Sequence, residues 1–182
     1  MKRILVFDVG IKNLSFIDTY ILEDANLKIV DWECTSIIDS KEKTTKVGIS
    51  ELTDAVLSFL FQRFDESFRY DHIYIENQPA LMNGLMKSIS MVIYTYFKIN
   101  MPTSCVNFIN ASNKLKCSRA KLYILKKKMT YNERKKVACE ITKDYLDFVA
   151  PDKKDWFNSL KKKDDYADTF LYAIYIAENK LV

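Results

Sequence analysis

Ile4-Leu5-Val6-Phe7-Asp8-Val9-Gly10 sets four apolar residues in a row against a carboxylate and then a glycine. An unbroken apolar run this short reads as a central strand covered on both faces. The acid at its end has no place in such a core. The pattern returns at His72-Ile73-Tyr74-Ile75-Glu76, and a third acidic group, Asp164, Asp165 and Asp168, opens the last amphipathic segment. Carboxylates brought together repel unless a proton or a cation neutralises them. Oxygen ligands of this kind suit Mg²⁺ or Mn²⁺, ions that serve in cutting and transferring phosphodiesters. If the three places meet, they make one metal site.

The segments around these acids predict how they could meet. Leu14 to Leu22 and Leu27 to Ile38 are rich in β-formers and are separated by the turn signal Asp24-Ala25-Asn26, so the first three strands form a meander. Gly10, one of three glycines, is expected to supply a backbone conformation that other residues avoid. Leu52, Val56, Phe59, Leu60 and Phe64 repeat at helical spacing from about Ile49 to Phe64, and a strand from Tyr70 to Glu76 follows. Strand, helix, strand implies a right-handed crossover into a parallel pair. Asp8 and Glu76 would then emerge together at the carboxyl ends of neighbouring strands, where α/β sheets bind ligands.

A helix from Pro79 to Ile99 carries apolar residues over half its circumference. It either lies buried under the sheet or offers a second face to a partner subunit. Ser104 to Ile109 is the fifth strand, and the basic stretch from Ala111 to Met129 is a loop or a short helix. Thr130 and Glu133 have capping-box spacing and start a helix that ends before Pro151. A charged linker leads to a last helix from about Asp165 to Asn179, with Phe170, Leu171, Ile174 and Tyr175 as its core stripe.

At 182 residues a single domain with one sizeable core is expected. Apolar stretches break well short of the ~20 residues that span a bilayer, and Lys2-Arg3 runs straight into a strand rather than a secretory signal. Four scattered cysteines and one histidine, His72, argue against zinc and for reduced thiols in a cytosolic setting. Charge is segregated: ten of the 28 basic residues and one of the 24 acidic ones lie between Lys114 and Lys136. That stretch carries +9 and the rest of the chain −5, which points to a polyanion partner.

The order of elements, with acids closing the first and fourth strands and opening the last helix, resembles the RNase H-like nucleases. Within them it is similar to the RuvC-type Holliday junction resolvases, those of poxviruses above all. The resemblance rests on Phe7-Asp8-Val9-Gly10-Ile11-Lys12-Asn13, Ile75-Glu76-Asn77-Gln78-Pro79, Tyr131-Asn132-Glu133-Arg134-Lys135-Lys136 and Lys163-Asp164-Asp165-Tyr166-Ala167-Asp168-Thr169-Phe170. It implies one RNase H-like domain over residues 1–182: a five-stranded mixed sheet, with a three-strand antiparallel meander plus two parallel strands, flanked by helices. Between Asn110 and Met129 the chain departs from the family by being longer and more basic.

Carried over residue by residue, the resemblance implies Asp8, Glu76, Asp165 and Asp168 as ligands of two Mg²⁺ ions, for which Mn²⁺ can substitute. Asp164, four residues from Asp168, also fits a ligand, but the helix N-cap is the role expected of it ahead of ligation. The family's active-site lysine falls on Lys135, with Lys136 as the competing position. Lys114, Lys116, Arg119, Lys121, Arg134 and Lys136 are the expected phosphate contacts, and Gln78 either orients Glu76 or caps a helix. The implied activity is cleavage of four-way DNA junctions by a homodimer paired through the 79–99 helix, in the cytoplasm of a virus-infected cell.

Three other readings share some of these features. RNase H-type cleavage of RNA–DNA hybrids uses the same metal chemistry, and a non-catalytic junction binder would need only the basic segment. Asp8-Val9-Gly10 also suits the phosphate loop of actin-like kinases, which need two such domains and more chain than this. If the basic segment neutralises about six phosphates, DNA affinity falls ~10³-fold between 50 and 200 mM salt. Fluorescence anisotropy across that range checks this, and a much flatter response would remove the segment as the DNA grip.

Overall fold

The computed structural model describes residues 1–38, 47–64, 67–78, 84–124, 129–180 and 182. Five strands, β1 (Lys2–Asp8), β2 (Leu14–Ile21), β3 (Leu27–Thr35), β4 (His72–Asn77) and β5 (Cys105–Asn110), form one sheet in the order β3-β2-β1-β4-β5. β1 to β3 are the antiparallel meander; β1 with β4 and β4 with β5 are the parallel pairs. The fold class expected from the sequence is the one observed.

Each strand divides its side chains between two cores, because successive residues point to opposite faces. Leu5 and Phe7 of β1, with Ile73 and Ile75 of β4, face helices α1 (Ile49–Arg63) and α2 (Gly84–Asn100). Phe7, Phe16, Phe64 and Phe97 form an aromatic cluster there, with ring centroids 5.1–5.9 Å apart. Ile4 and Val6 of β1, with Tyr74 of β4, face the other way, toward α4 (Tyr131–Val149) and α6 (Asp164–Glu178). Asp8 and Glu76 share the parity of Val6 and Tyr74, so both belong to the α6 side. This parity brings strand acids and helix acids together.

α6 lies against β1, β2 and α4 and is buried nearly all round. Its buried residues run without a break from Ala167 to Ile174, wider than the stripe expected, and Tyr175 of that stripe is only half-buried. A helix enclosed on most sides needs no single apolar face. Trp32 on β3 holds it down, with Nε1 donating to Tyr166 O and Thr169 Oγ1, each at 3.1 Å. The ring of Trp32 stacks on Phe157 and Phe170. Phe157 belongs to α5 (Lys154–Ser159), which with a 3-10 turn at Pro151–Lys153 replaces the linker expected after α4. Its high charge hid one buried anchor.

The capping box of α4 is present: Glu133 Oε2 accepts from Thr130 N at 2.7 Å, and Glu133 N donates to Thr130 Oγ1 at 3.3 Å. The basic stretch before it contains a 3-10 turn, Ala111–Leu115, and the four-residue α3, Ala120–Tyr123. Pro79 and Met82, read as the start of α2, lie outside the described residues. Ile89, Ser90, Ile93, Tyr96 and Phe97 of α2 are buried, while Met91 and Ile99 stay exposed. Among the described residues no helix is long and apolar enough to cross a membrane.

Gly10 corrects one expectation. Its φ is not positive, so a rare backbone conformation is not the reason for glycine. A Cβ there would lie 2.5 Å from Asn13 O, because the turn after β1 folds back on itself. Gly10→Ala therefore loses about 1–3 kcal/mol of stability, and the thermal midpoint falls by roughly 2–4 °C per kcal/mol. Gly84→Ala, whose Cβ meets nothing within 4 Å, is the control that does not fall. Equal midpoints would show that the turn behind Asp8 gives way freely.

Candidate functional site

The parallel register pairs Phe7 with Ile75, which sets Asp8 beside Glu76 at the carboxyl end of β1 and β4. Glu76 is 6% exposed and fully engaged. Tyr172 Oη donates to its Oε1 at 3.0 Å, and Gln78 Nε2 donates to its Oε2 at 2.8 Å. Gln78 also reaches Val9 O at 3.3 Å, tying Glu76 to the chain just past Asp8. The orienting role offered for Gln78 is therefore visible in the geometry.

α6 brings the third acid group onto the same spot. Asp168 is 8% exposed and accepts a hydrogen bond from Lys114 Nζ, whose ammonium also stands 5.6 Å from the Tyr172 ring centre. Asp165, one turn earlier, pairs with Lys162 at 2.7 Å. The pairing is outside hydrogen-bond geometry, so Asp165 Oδ2 is closed from solvent without accepting a bond. Asp164 is the first residue of α6 rather than its cap: Lys163 is the N-cap, with no side-chain cap bond, and Asp164 pairs with Lys135.

The electrostatics follow from crowding. Asp8 is held well above the ordinary carboxylate range by burial, then by the charge of Glu76 and a hydrogen bond shared with it, then by Asp168; Lys114 works in the opposite direction. Asp168 is pushed up to about 6 by burial, and Lys114 only partly relieves it. Burial would pull the Lys114 ammonium down, but Asp168, Asp8 and Glu76 together keep it above its usual value. Asp164 moves the other way: Lys135 and its own backbone N–H overcome the effect of burial and lower it.

Another buried acid shows what balance looks like. Asp18, toward the opposite end of the sheet, accepts from Arg3 Nε at 3.0 Å, Arg3 Nη2 at 2.7 Å and Tyr70 Oη at 3.0 Å. There one guanidinium answers one carboxylate. At the α6 end one ammonium, Lys114, faces Asp8, Glu76 and Asp168. As the side chains stand, no group of three or more His, Cys, Asp and Glu among the described residues is arranged to hold a metal ion.

The expected site residues thus separate into groups. Asp8, Glu76 and Asp168 are together, Asp165 is beside them, and Lys135 sits one step out on Asp164. Lys114, expected among the phosphate contacts, has its ammonium inside the acid cluster. Arg119 is turned onto α4, paired with Asp144 at 2.9 Å and stacked 4.3 Å over Phe148. Lys116, Lys121, Arg134 and Lys136 are exposed, Lys116 bonded to Asn113 Oδ1 at 2.9 Å. The sequence reading missed Tyr172, although its place four residues after Asp168, one helical turn on, was the signal available.

No family model matches the chain. Its fold is similar to that of several solved structures. The Fowlpox virus resolvase in complex with Holliday junction DNA superimposes with a TM-score of 0.67 at 20% identity, over 99% of both chains. The yeast mitochondrial Holliday junction resolvase Ydc2 gives 0.61 at 18% identity, over 97% of this chain and 79% of that one. T. thermophilus RuvC with a Holliday junction substrate gives 0.54 at 11% identity, over 98% and 97%. By sequence, the chain is 31% identical over 121 residues to the uncharacterized protein L451 of Acanthamoeba polyphaga mimivirus. It covers 29% of that protein's length. The chain carries the RNase H-like fold in the form found in RuvC-like resolvases.

The imbalance at the acid cluster predicts opposite signs for two substitutions. With its value raised from 3.8 to about 6, Asp168 favours the folded state below about pH 4 and loses that contribution as pH rises through about 6. In metal-free buffer at pH 7.5, Asp168→Asn therefore gains on the order of 2–3 kcal/mol over the parent, and the gain shrinks toward pH 4. Asp18→Asn strands the Arg3 guanidinium and loses about 3 kcal/mol or more. Urea unfolding at pH 7.5 and 4.5 measures both; a loss for Asp168→Asn at pH 7.5 would show that Lys114 already balances the cluster.

Proposed function

We propose that this chain is a divalent-metal-dependent endonuclease that resolves four-way DNA junctions by paired, symmetric nicks. The observation that carries the reading is the meeting of Asp8, Glu76 and Asp168, with excess negative charge, at the carboxyl end of the parallel pair. It gains support from the fold, whose solved neighbours include resolvases determined with junction DNA.

The donor set suits the cation. It is all carboxylate, which favours Mg²⁺ or Mn²⁺ over softer metals, and Asp165 Oδ2, closed from solvent and accepting no hydrogen bond, has the Lys162 ammonium at 2.7 Å as its charge partner. Asp8, Glu76, Asp165 and Asp168 would hold two ions, supplying Lewis acidity for attack of water on phosphorus and for departure of the 3′ oxygen. The products would be a 5′-phosphate and a 3′-hydroxyl, hence ligatable nicks.

The protein's own groups do the rest. Gln78 and Tyr172 fix both oxygens of Glu76, so its direction is set before DNA arrives. Lys114, beside Asp168, offsets charge growing on the phosphate oxygens. Lys135 does so from farther out, through Asp164. A junction is two-fold symmetric, so a C₂ dimer with two sites matches it. The outer stripe of α2, with Met91 and Ile99 exposed, is the face proposed for that contact.

A synthetic four-way junction incubated with protein and Mg²⁺ tests the reading. The parent cuts two opposed strands symmetrically and does nothing in EDTA. Asp168→Asn binds the junction but cuts it slower by about 10²-fold or more. Full cleavage by Asp168→Asn would overturn the site, and preferential cutting of an RNA–DNA hybrid would move the chain to RNase H chemistry. Junction binding with no product under any divalent ion would leave a non-catalytic binder.

A further inference from the structure

Beside the acid cluster, between the start of α4 and the segment leading into α6, lies a cleft of about 630 Å³. Five lysines line it: Lys135 and Lys136 from α4, and Lys161, Lys162 and Lys163 from the segment before α6. The two sets are some 25 positions apart in the chain and meet only through the fold. Two acids also border the cleft, but both are taken up. Asp164 pairs with Lys135, and Glu140 pairs with Lys143 at 2.9 Å.

The lysines differ in how far they are committed. Lys162 pairs with Asp165, and Lys163 Nζ donates to Leu160 O. Lys136 and Lys161 are exposed, with no partner among the described residues. The cleft therefore keeps an uncancelled positive charge against the flank of the most negative part of the molecule. Asp164 is common to both, and the Cys139 thiol in the cleft wall, pushed up to about 11 chiefly by burial, also feels Asp164 and Asp168.

We propose that this cleft binds the sugar–phosphate backbone of the DNA on the α4 side of the cut, taking phosphates that flank the scissile one. The inference rests on the nuclease reading and adds to it Lys161, Lys162 and Lys163, which lie outside the 114–136 stretch and join Lys135 and Lys136 at its end. A polyanion approaching four carboxylates is repelled, and a cationic flank on the same line supplies the attraction that seats it. None of the lining side chains is aromatic. The cleft thus offers charge to a backbone and no stacking face to a base. Recognition through it would be indifferent to sequence.

Junction binding in EDTA tests this, with the double variant Lys136→Gln/Lys161→Gln set against Lys28→Gln/Lys180→Gln. The control removes the same charge at the start of β3 and beyond the end of α6, far from the acids. If two phosphate contacts are lost, the parent's fall in affinity between 50 and 200 mM salt shrinks by about tenfold in the cleft variant and stays near the parent's in the control. Single methylphosphonates placed along the strand locate the contact. At one or two positions beside the cut they weaken parent binding, and there they cost the cleft variant nothing.

A cleft variant that matches the control in salt response, or that loses affinity at the same methylphosphonates as the parent, would overturn the proposal. Thermal melts confirm that both variants are folded. A parent that binds duplex as tightly as a junction would count against resolvase activity instead, and the same comparison would then be read on the duplex.

Discussion

Everything at the acid end depends on the two-residue period of a β-strand acting in a parallel pair. Val6 and Tyr74 face α6, so Asp8 and Glu76, two residues on, must face it too. A register slip of one residue would send one acid to the aromatic face beneath α2. The core residues that fix the register, Leu5, Phe7, Ile73 and Ile75, are thus also what holds like charges against each other. Hydrophobic burial at roughly 1.5–3 kcal/mol for each such side chain is large enough to impose that arrangement.

Much of this was legible in the amino-acid order, for identifiable reasons. A carboxylate directly after an all-apolar run needs a local reason, so Asp8 and Glu76 stand out, and Asp165 and Asp168 share a helical face. Lys114 was not readable in this way. It lies in a basic run where every lysine has the same local context, and only the 3-10 turn at Ala111–Leu115 sets it against α6. Tyr172 looked like one more apolar residue of a buried helix, because its hydroxyl matters only once Glu76 is opposite. Gly10 was rightly singled out but for the wrong physics: the obstacle is the Asn13 carbonyl, a contact that no dipeptide preference encodes.

The basic stretch shows the limit of charge counting. From composition, Lys114 to Lys136 is one cationic block. In the fold it divides by duty: Lys114 serves the acid cluster, Arg119 braces α4 through Asp144 and Phe148, and only part of the block faces outward. Meanwhile Lys161 to Lys163, which formed no part of that block, stand beside Lys136. Electrostatic surfaces belong to the folded chain, and a sum along the sequence does not assign them.

The distance along the chain between Asp8, Glu76 and Asp168 has a consequence for assembly. Neither the meander nor the parallel pair nor α6 possesses the cluster by itself; closing it requires contacts spanning nearly the whole sequence, the kind that form slowly. A partly collapsed chain keeps these carboxylates apart, each solvated and ordinary. The acid cluster in this architecture is therefore a property of the completed fold, set by contacts between parts of the chain that are remote in sequence.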